Sequence, residues 1–209
     1  MRRIVLFGLV LFVLLTAPLT AQFLGQMHAP RALGLGSLNL TAAVGAYEDA
    51  FTLIGRARYG VTSQMDLTCS FGIVDFERTD DLDLVLGGDL QYQLTHYDLG
   101  RPLDMAVGGF IKYYSNYRPG NYDRSDYAVG MNFITGRPID FPSGFCVIPY
   151  GEMNVRIDSR EQNGTTDSDF NIGFNLGVEI PLSGYVDFVS EVQLDDQFGI
   201  IVAVNFLMW

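Results

Sequence analysis

Residues 82–95 read LDLVLGGDLQYQLT, and their side chains alternate in character along the chain. One set is apolar or small: Leu82, Leu84, Leu86, Gly88, Leu90, Tyr92 and Leu94. The set between them is mainly hydrophilic: Asp83, Val85, Gly87, Asp89, Gln91, Gln93 and Thr95. Successive side chains of a β-strand point to opposite faces, so this period of two predicts a strand with one apolar and one hydrophilic face. Faces this different predict a different environment on each side of the strand.

The same period recurs from residue 33 to the end of the chain, without a sustained helical period of 3.6. In residues 169–180, for example, six apolar side chains alternate with polar residues or glycine: Phe170, Ile172, Phe174, Leu176, Val178 and Ile180. Together with the turn signals between such runs, the pattern predicts an all-β chain. The ten predicted strands are 33–47, 50–60, 65–75, 82–95, 103–115, 126–136, 144–158, 168–181, 185–194 and 197–209.

Strand length favours a membrane barrel over a soluble sandwich or lipocalin-like barrel. Most of the predicted strands have 11 to 15 residues. A soluble strand has roughly five or six, whereas a tilted strand needs roughly 9 to 11 to cross a bilayer. The hydrophilic faces are rich in charge and amide groups, which a dry soluble core tolerates only when each is matched. Closure of the sheet would satisfy every backbone group in lipid, as an open sheet would not.

Two kinds of connection alternate for most of the chain. Compact turn signals follow the second, fourth, sixth and eighth predicted strands, at 61–64, 98–102, 137–144 and 181–184. Polar loops follow the third, fifth and seventh, including 117–126 and 159–167. Short turns at the periplasmic rim and longer loops at the outer rim are typical of an outer-membrane barrel. This alternation predicts both termini on the periplasmic side.

The first residues have the order of a secretory signal peptide. Arg2 and Arg3 precede the apolar run Ile4–Leu15, and the small, turn-prone stretch Thr16–Ala21 follows. Cleavage after Ala21 would leave 209 − 21 = 188 residues, enough for one domain, so we expect a signal peptide at 1–21 and a barrel domain at 22–209. The mature charge would be 11 − 24 = −13, which argues against nucleic acid as a partner.

At two places the residues resemble a known family. Arg58–Leu67, RYGVTSQMDL, resembles the strand, tight periplasmic turn and strand of small bacterial outer-membrane β-barrel proteins, the OmpA-like and porin-like superfamily. Ile200–Trp209, IIVAVNFLMW, resembles their last strand, which ends on an aromatic residue. The resemblance implies that Phe206 and Trp209 form an insertion signal, read by the barrel insertion machinery after escort by periplasmic chaperones. In this chain Asn205 interrupts the apolar set of Trp209, and the cleaner apolar stripe is that of Phe206.

Catalytic and metal sites find little support in the sequence. His28 and His96 are the only histidines, and neither falls in a constellation that would serve a nucleophile or a general base. The acidic loop 158–169 has oxygen ligands but lacks EF-hand spacing, so we expect a solvated loop. Cys69 and Cys146 fall on opposite faces of the wall and should be free thiols. We therefore expect no catalytic residue, no metal and no cofactor.

Charged residues on the hydrophilic faces are predicted to point into the lumen. They are Arg56, Arg58, Asp66, Asp83, Asp89, Lys112, Glu152, Arg156, Glu179, Asp187 and Glu191. Four cations and seven acids in a narrow space must pair or stay hydrated. The set forms either an ion-pair network that stiffens the barrel or the lining of a thin, cation-favouring water path.

These observations predict a single closed, antiparallel, up-and-down barrel of about ten strands, with eight possible, in the bacterial outer membrane. We expect a non-enzymatic monomer, structural or surface-binding, in contact with outer-membrane lipid and lipopolysaccharide. One alternative is a narrow cation-favouring channel. Another is a soluble exported barrel that binds a small apolar ligand.

Overall fold

The structure is a computed structural model that describes residues 24–76, 82–98, 102–118, 122–162, 165–195 and 198–208. Within these ranges no helix is long and apolar enough to cross a membrane. The described residues form eleven strands: β1 Leu38–Tyr47, β2 Ala50–Gly60, β3 Met65–Phe76, β4 Leu82–Asp98, β5 Pro102–Arg118, β6 Tyr122–Gly136, β7 Ile139–Asp140, β8 Cys146–Gln162, β9 Thr165–Pro181, β10 Val186–Leu194 and β11 Phe198–Met208. The predicted signal peptide, residues 1–21, lies outside the described part of the chain.

The strands form one closed antiparallel sheet. Neighbours in the chain pair with each other, except that β6 pairs with β8 past the two-residue strand β7. The first and last long strands close the barrel, with Leu38 opposite Met208 and Tyr47 opposite Gly199. The prediction of a closed up-and-down barrel of about ten strands is therefore confirmed, with β7 as one short addition.

The apolar set of each strand faces outward. On β4, Leu82 and Leu90 are 63 % and 46 % exposed, whereas Val85 and Gln91 are 1 % and 4 % exposed. Each of the ten long strands contributes at least one exposed large apolar side chain, so the apolar surface surrounds the barrel. On β11 the stripe that includes Phe206 is exposed and Asn205 is buried. Trp209 lies outside the described residues.

The two rims of the barrel differ. The turn rim carries the connections 61–64, 137–145 and 182–185, and the hairpin rim lies at the opposite ends of the strands. The prediction of polar loops at 117–126 and 159–167 is wrong. In the structure β5 pairs with β6 up to Arg118, and β8 pairs with β9 up to Gln162. An antiparallel partner strand satisfies the main-chain N–H and C=O groups whatever the side chains are. The polar residues here therefore extend the two hairpins instead of forming loops.

The first strand begins at Leu38 and not at residue 33 as predicted. Gly34 and Gly36 have φ angles of 90° and 82°, which turn the chain away from the wall at the turn rim. Gly34 packs so closely on Gly60 that a Cβ added to Gly60 would overlap the Gly34 carbonyl group. The residues before this turn therefore leave the sheet and enter the barrel.

Both cysteines are free thiols, as predicted. Cys69 is exposed on the outer face of β3. Cys146 is partly buried and packs against the cluster of buried apolar residues inside the barrel. Their positions on different faces of the wall rule out a bond between them in this fold.

Candidate functional site

Residues 24–33, here called the lumen segment, run inside the barrel. Residues 24–30 are all buried, and none of residues 24–33 belongs to a strand. The segment enters at the turn rim, where the Leu33 amide donates to Asp66, the second residue of β3. It reaches mid-lumen at Leu24, whose carbonyl oxygen accepts a 2.8 Å hydrogen bond from Lys112. The sequence analysis considered His28 only as a candidate catalytic residue and missed this insertion.

Carboxylates and one side-chain amide of the strands that form the barrel wall accept hydrogen bonds from main-chain N–H groups of the lumen segment. The two oxygens of Glu191 accept from the amides of Gln26 and Met27, at 3.0 and 2.8 Å. Glu179 accepts from the Ala29 amide at 2.9 Å. The Gln93 side chain accepts from the Ala32 amide at 2.8 Å. These bonds satisfy donors that have no strand partner.

Wall donors bind the main-chain carbonyl groups. Arg56 donates to the carbonyl oxygens of Gly25 and Gln26. Asn205 donates to Met27 at 3.3 Å, Gln91 donates to Pro30 at 3.1 Å, and Arg58 donates to Arg31 at 2.5 Å. Arg58 also pairs with Asp66 at 2.5 Å, so one guanidinium joins the segment to the wall. The wall therefore holds the segment mainly through its backbone.

Three side chains of the segment are polar. The Gln26 carboxamide accepts from Asn132 and donates to Gln91, both at 3.2 Å. It also donates to the Nε2 atom of His28 at 2.8 Å, while Nδ1 of that ring contacts the Ala29 carbonyl oxygen at 2.9 Å. Burial lowers the pKa of His28, and the nearby Arg58 and Arg56 lower it further, which favours the neutral ring. Arg31 pairs with Asp104 at 2.6 Å near the turn rim.

Met27 has an unusual backbone conformation. Its φ angle is 55°, and its side chain is 1 % exposed. The left-handed region costs a residue other than glycine about 1–2 kcal/mol. The bonds from its N–H to Glu191 and from Asn205 to its carbonyl hold that conformation from both sides. The wall thus imposes a strained conformation on the segment at this point.

A small cavity lies beside Gln26 inside the barrel. Leu24, Arg56, Lys112 and Glu152 contribute to its lining, and its volume is about 10 Å³, room for roughly one water molecule. Glu152 accepts hydrogen bonds from the side-chain amides of Asn132 and Asn175, at 3.2 and 2.5 Å. The lumen segment therefore occupies space that the alternative of a thin water path would require.

A second group of charges, here called the rim cluster, lies toward the hairpin rim. Its centre is Arg156, whose side chain is 1 % exposed and pairs with Asp158 at 2.8 Å and with Asp195 at 2.5 Å. Asn154 accepts from Arg156 at 3.1 Å, and Asn171 donates to Asp158 at 2.6 Å. These contacts join β8, β9 and the end of β10 without the lumen segment.

The structure places the eleven predicted lumen residues as follows. Seven are buried: Arg56, Arg58, Asp66, Lys112, Glu152, Arg156 and Glu191. Asp83, Asp89, Glu179 and Asp187 are partly buried. Asp89 pairs with Arg56 at 3.2 Å. Asp83 is the second residue of β4 and Asp187 the second of β10, so they lie near opposite rims.

Sequence reasoning left out several lumen residues. They are the acids Asp104, Asp158 and Asp195, the amides Gln91, Gln93, Asn132, Asn154, Asn171, Asn175, Gln193 and Asn205, and Tyr150, which donates to Glu191 at 2.7 Å. Asp104 and Lys112 are an even number of residues apart on β5 and so face the same side. This spacing could have identified Asp104 as a lumen residue. Asp195 lies just beyond β10, where the strand pattern ends. The amides were expected on the hydrophilic faces in general, but the predicted lumen set included only charged residues.

The described residues thus define a closed β-barrel with an apolar exterior and an interior that the lumen segment, charged and amide side chains and a cluster of buried apolar residues fill. No protein-family model and no curated protein matches the chain. It is similar in fold to an outer membrane channel from Pseudomonas putida F1, with 13 % identity, a TM-score of 0.46, and coverage of 90 % of this chain and 100 % of that one.

Two more solved structures illustrate the similarity, and both are outer-membrane β-barrels. The N-terminal β-barrel domain of Pseudomonas aeruginosa OprF is 12 % identical, with a TM-score of 0.38 and coverage of 84 % of this chain and 99 % of that one. Neisserial surface protein A is 11 % identical, with a TM-score of 0.36 and coverage of 82 % and 94 %.

Proposed function

We propose that the chain is a non-enzymatic protein of the bacterial outer membrane whose lumen is closed at rest, with a structural or surface-binding role. The observation that carries this proposal is that large apolar side chains cover the outside of the barrel and charged side chains lie inside, the reverse of a soluble protein. Large apolar side chains such as Leu82 and Phe170 are 63 % and 67 % exposed, whereas Asp66 and Glu191 are fully buried. Lipid around the barrel accounts for both, because acyl chains accept the exterior and a polar interior accepts the charges.

The soluble alternative fits the geometry poorly. A lipocalin-like barrel needs an apolar cavity for an apolar ligand. Here the interior holds the lumen segment together with charged and amide side chains. Among the described residues, no group of three or more His, Cys, Asp or Glu side chains could hold a metal ion. The proposal therefore assigns the protein neither a soluble ligand nor a reaction.

Its proposed partners follow from the same surface. Outer-membrane lipid and lipopolysaccharide would contact the apolar exterior of a monomer, after export by the signal peptide at 1–21. Phe206, which is 44 % exposed, and Trp209 would serve the insertion machinery, with periplasmic chaperones before insertion. The long hairpins β5–β6 and β8–β9 would extend beyond the outer surface of the membrane.

One substitution separates a membrane barrel from a soluble one. Leu90 faces outward on β4, and an arginine at the bilayer midplane costs about 2–4 kcal/mol. We expect Leu90→Arg to lower the yield of protein that folds into lipid vesicles, whereas Ser168→Arg, on an exposed hairpin, leaves it unchanged. Folding is measured by electrophoresis with and without heating. A soluble wild-type protein, or equal folding of both variants without lipid, would disprove the proposal.

A further inference from the structure

We infer that the lumen is a binding site for a polypeptide segment in an irregular, non-strand conformation, recognised through its main chain, and that the protein's own residues 24–33 occupy it as a removable plug. The inference rests on the proposed function only for the membrane part of its test. It extends that function, because it assigns a ligand class to the lumen and a conducting state to a barrel that is closed at rest.

The contacts of the lumen segment support recognition through the backbone. The wall accepts from five main-chain N–H groups, those of Gln26, Met27, Ala29, Ala32 and Leu33. It donates to six main-chain carbonyl groups, those of Leu24, Gly25, Gln26, Met27, Pro30 and Arg31. In a sheet these groups would meet another backbone, whereas here each meets a wall side chain. A site of this kind recognises the path of the main chain more than the sequence of side chains.

The segment is also separable from the barrel. The sheet closes between β1 and β11, and the long strands pair around the ring without residues 24–33. The turn at Gly34 and Gly36 joins the segment to the wall by residues that permit a change of direction. The strained φ angle of Met27 is relieved when the segment leaves. Departure of the segment would therefore break side-chain contacts and leave every pair of strands intact.

The vacated lumen would favour cations. The wall residues around the segment include six acids, Asp66, Asp89, Asp104, Glu152, Glu179 and Glu191. Three cations face them, Arg56, Arg58 and Lys112. An excess of acids in a narrow polar passage attracts cations and repels anions. The open state should therefore conduct with cation selectivity.

The first test removes the segment and returns it as a peptide. A variant that lacks residues 24–33 should fold, shift mobility on heating, and show cation-selective conductance in planar bilayers. A synthetic peptide with the sequence of residues 24–33, LGQMHAPRAL, should close it. The same peptide N-methylated at Met27 and Ala29 lacks two of the recognised N–H groups and should require at least about tenfold more peptide for closure.

Calorimetric titration of the two peptides into the deletion variant in detergent repeats the comparison without a membrane. The inference is overturned if the folded deletion variant shows no conductance in planar bilayers, or if both peptides bind it equally. Failure of the barrel to enter lipid while the peptides still bind differently would instead contradict the proposed function. The two conclusions can therefore fail separately.

If the deletion variant does not fold, a second variant tests whether wall contacts hold residues 24–33 in the lumen. Glu191→Gln in the full chain replaces the carboxylate that accepts from Gln26 and Met27. We expect channel openings at least about tenfold more frequent than in the wild-type protein. Glu161→Gln, the same change at an exposed position on β8, should leave openings at the wild-type frequency. Equal behaviour of the two variants overturns the inference.

Discussion

Between the turn rim and mid-lumen, the barrel wall binds the backbone of residues 24–33, whereas toward the hairpin rim the wall side chains bind one another. Glu191 illustrates the first arrangement, since both of its oxygens accept from amides of the lumen segment. Arg156 illustrates the second, since it joins Asp158 and Asp195. Both regions are buried, polar and charged, yet only the first includes an element from outside the sheet.

The difference shows that charged side chains in a lumen can have two roles, which are to link neighbouring strands and to bind a separate segment. The rim cluster crosslinks neighbouring strands, so its loss should weaken the wall. The residues that hold the lumen segment bind a separable element, so their loss should change whether the lumen is open while the wall persists. Stability of the barrel and closure of the lumen are therefore expected to depend on different residues.

The largest effect is expected from Arg156→Met. The substitution leaves Asp158 and Asp195 buried without their guanidinium partner, and breaking a buried pair in this way costs about 3–5 kcal/mol. Thermal unfolding in detergent should show that loss, while the folded protein remains closed in bilayers. Arg160→Met is the matched control, because Arg160 is 36 % exposed and lies 3.7 Å from Asp126, a pair worth about 1 kcal/mol or less. Equal losses would remove the distinction between the two regions.

Gly60→Ala should disturb the entry of the lumen segment. The added methyl group overlaps the Gly34 carbonyl group, and overpacking of this kind costs about 1–3 kcal/mol. We expect faster tryptic cleavage after Arg31, because displaced residues near the turn rim become accessible. Gly55→Ala on the same strand, with open space around its added Cβ, provides the control. Identical cleavage rates would show that the close approach does not hold the segment in place.

Acid should weaken the closure through His28. Its pKa is lowered by burial and by Arg58 and Arg56, whereas in a released segment it would lie near the ordinary value of about 6.5. The released form therefore binds the extra proton, so closure is strongest above that value. Below it, closure weakens by up to about tenfold for each pH unit. The fraction of open channels should rise from pH 7.5 to 5, and less steeply in His28→Gln. The same slope in both proteins would assign the effect to the carboxylates.

The smallest effect is expected from Arg31→Ala. The Arg31 side chain is 50 % exposed, so water screens much of its attraction to Asp104. Its main-chain carbonyl would still accept from Arg58. We expect the open fraction to increase by about fivefold at most. A double-mutant cycle with Asp104→Asn isolates the pair, and a coupling well above 1 kcal/mol would show that the mouth of the lumen is less hydrated than its exposure indicates.

Much of the wall was predictable because its signal is local. The side chains of residues 82–92 alternate between the outer face and the lumen because each residue inverts the direction of the next side chain. The same rule assigned Arg56 and Glu191 to the lumen side, and both are buried. Strand ends were less predictable at the hairpins, since Arg118 pairs with Tyr122 in a stretch whose polar residues predict a loop.

The sequence by itself determined which face of each strand is apolar, and with it the barrel and its polar interior, because a period of two requires only neighbouring residues. Only the tertiary structure decided what fills that interior. Residues 24–33 show no period, and their partners Lys112, Glu179 and Glu191 lie about 90 to 165 positions away. The meeting of Arg156 with Asp195 likewise depends on closure of the sheet. Closure brings distant side chains to one axis, and no local pattern records which of them will meet.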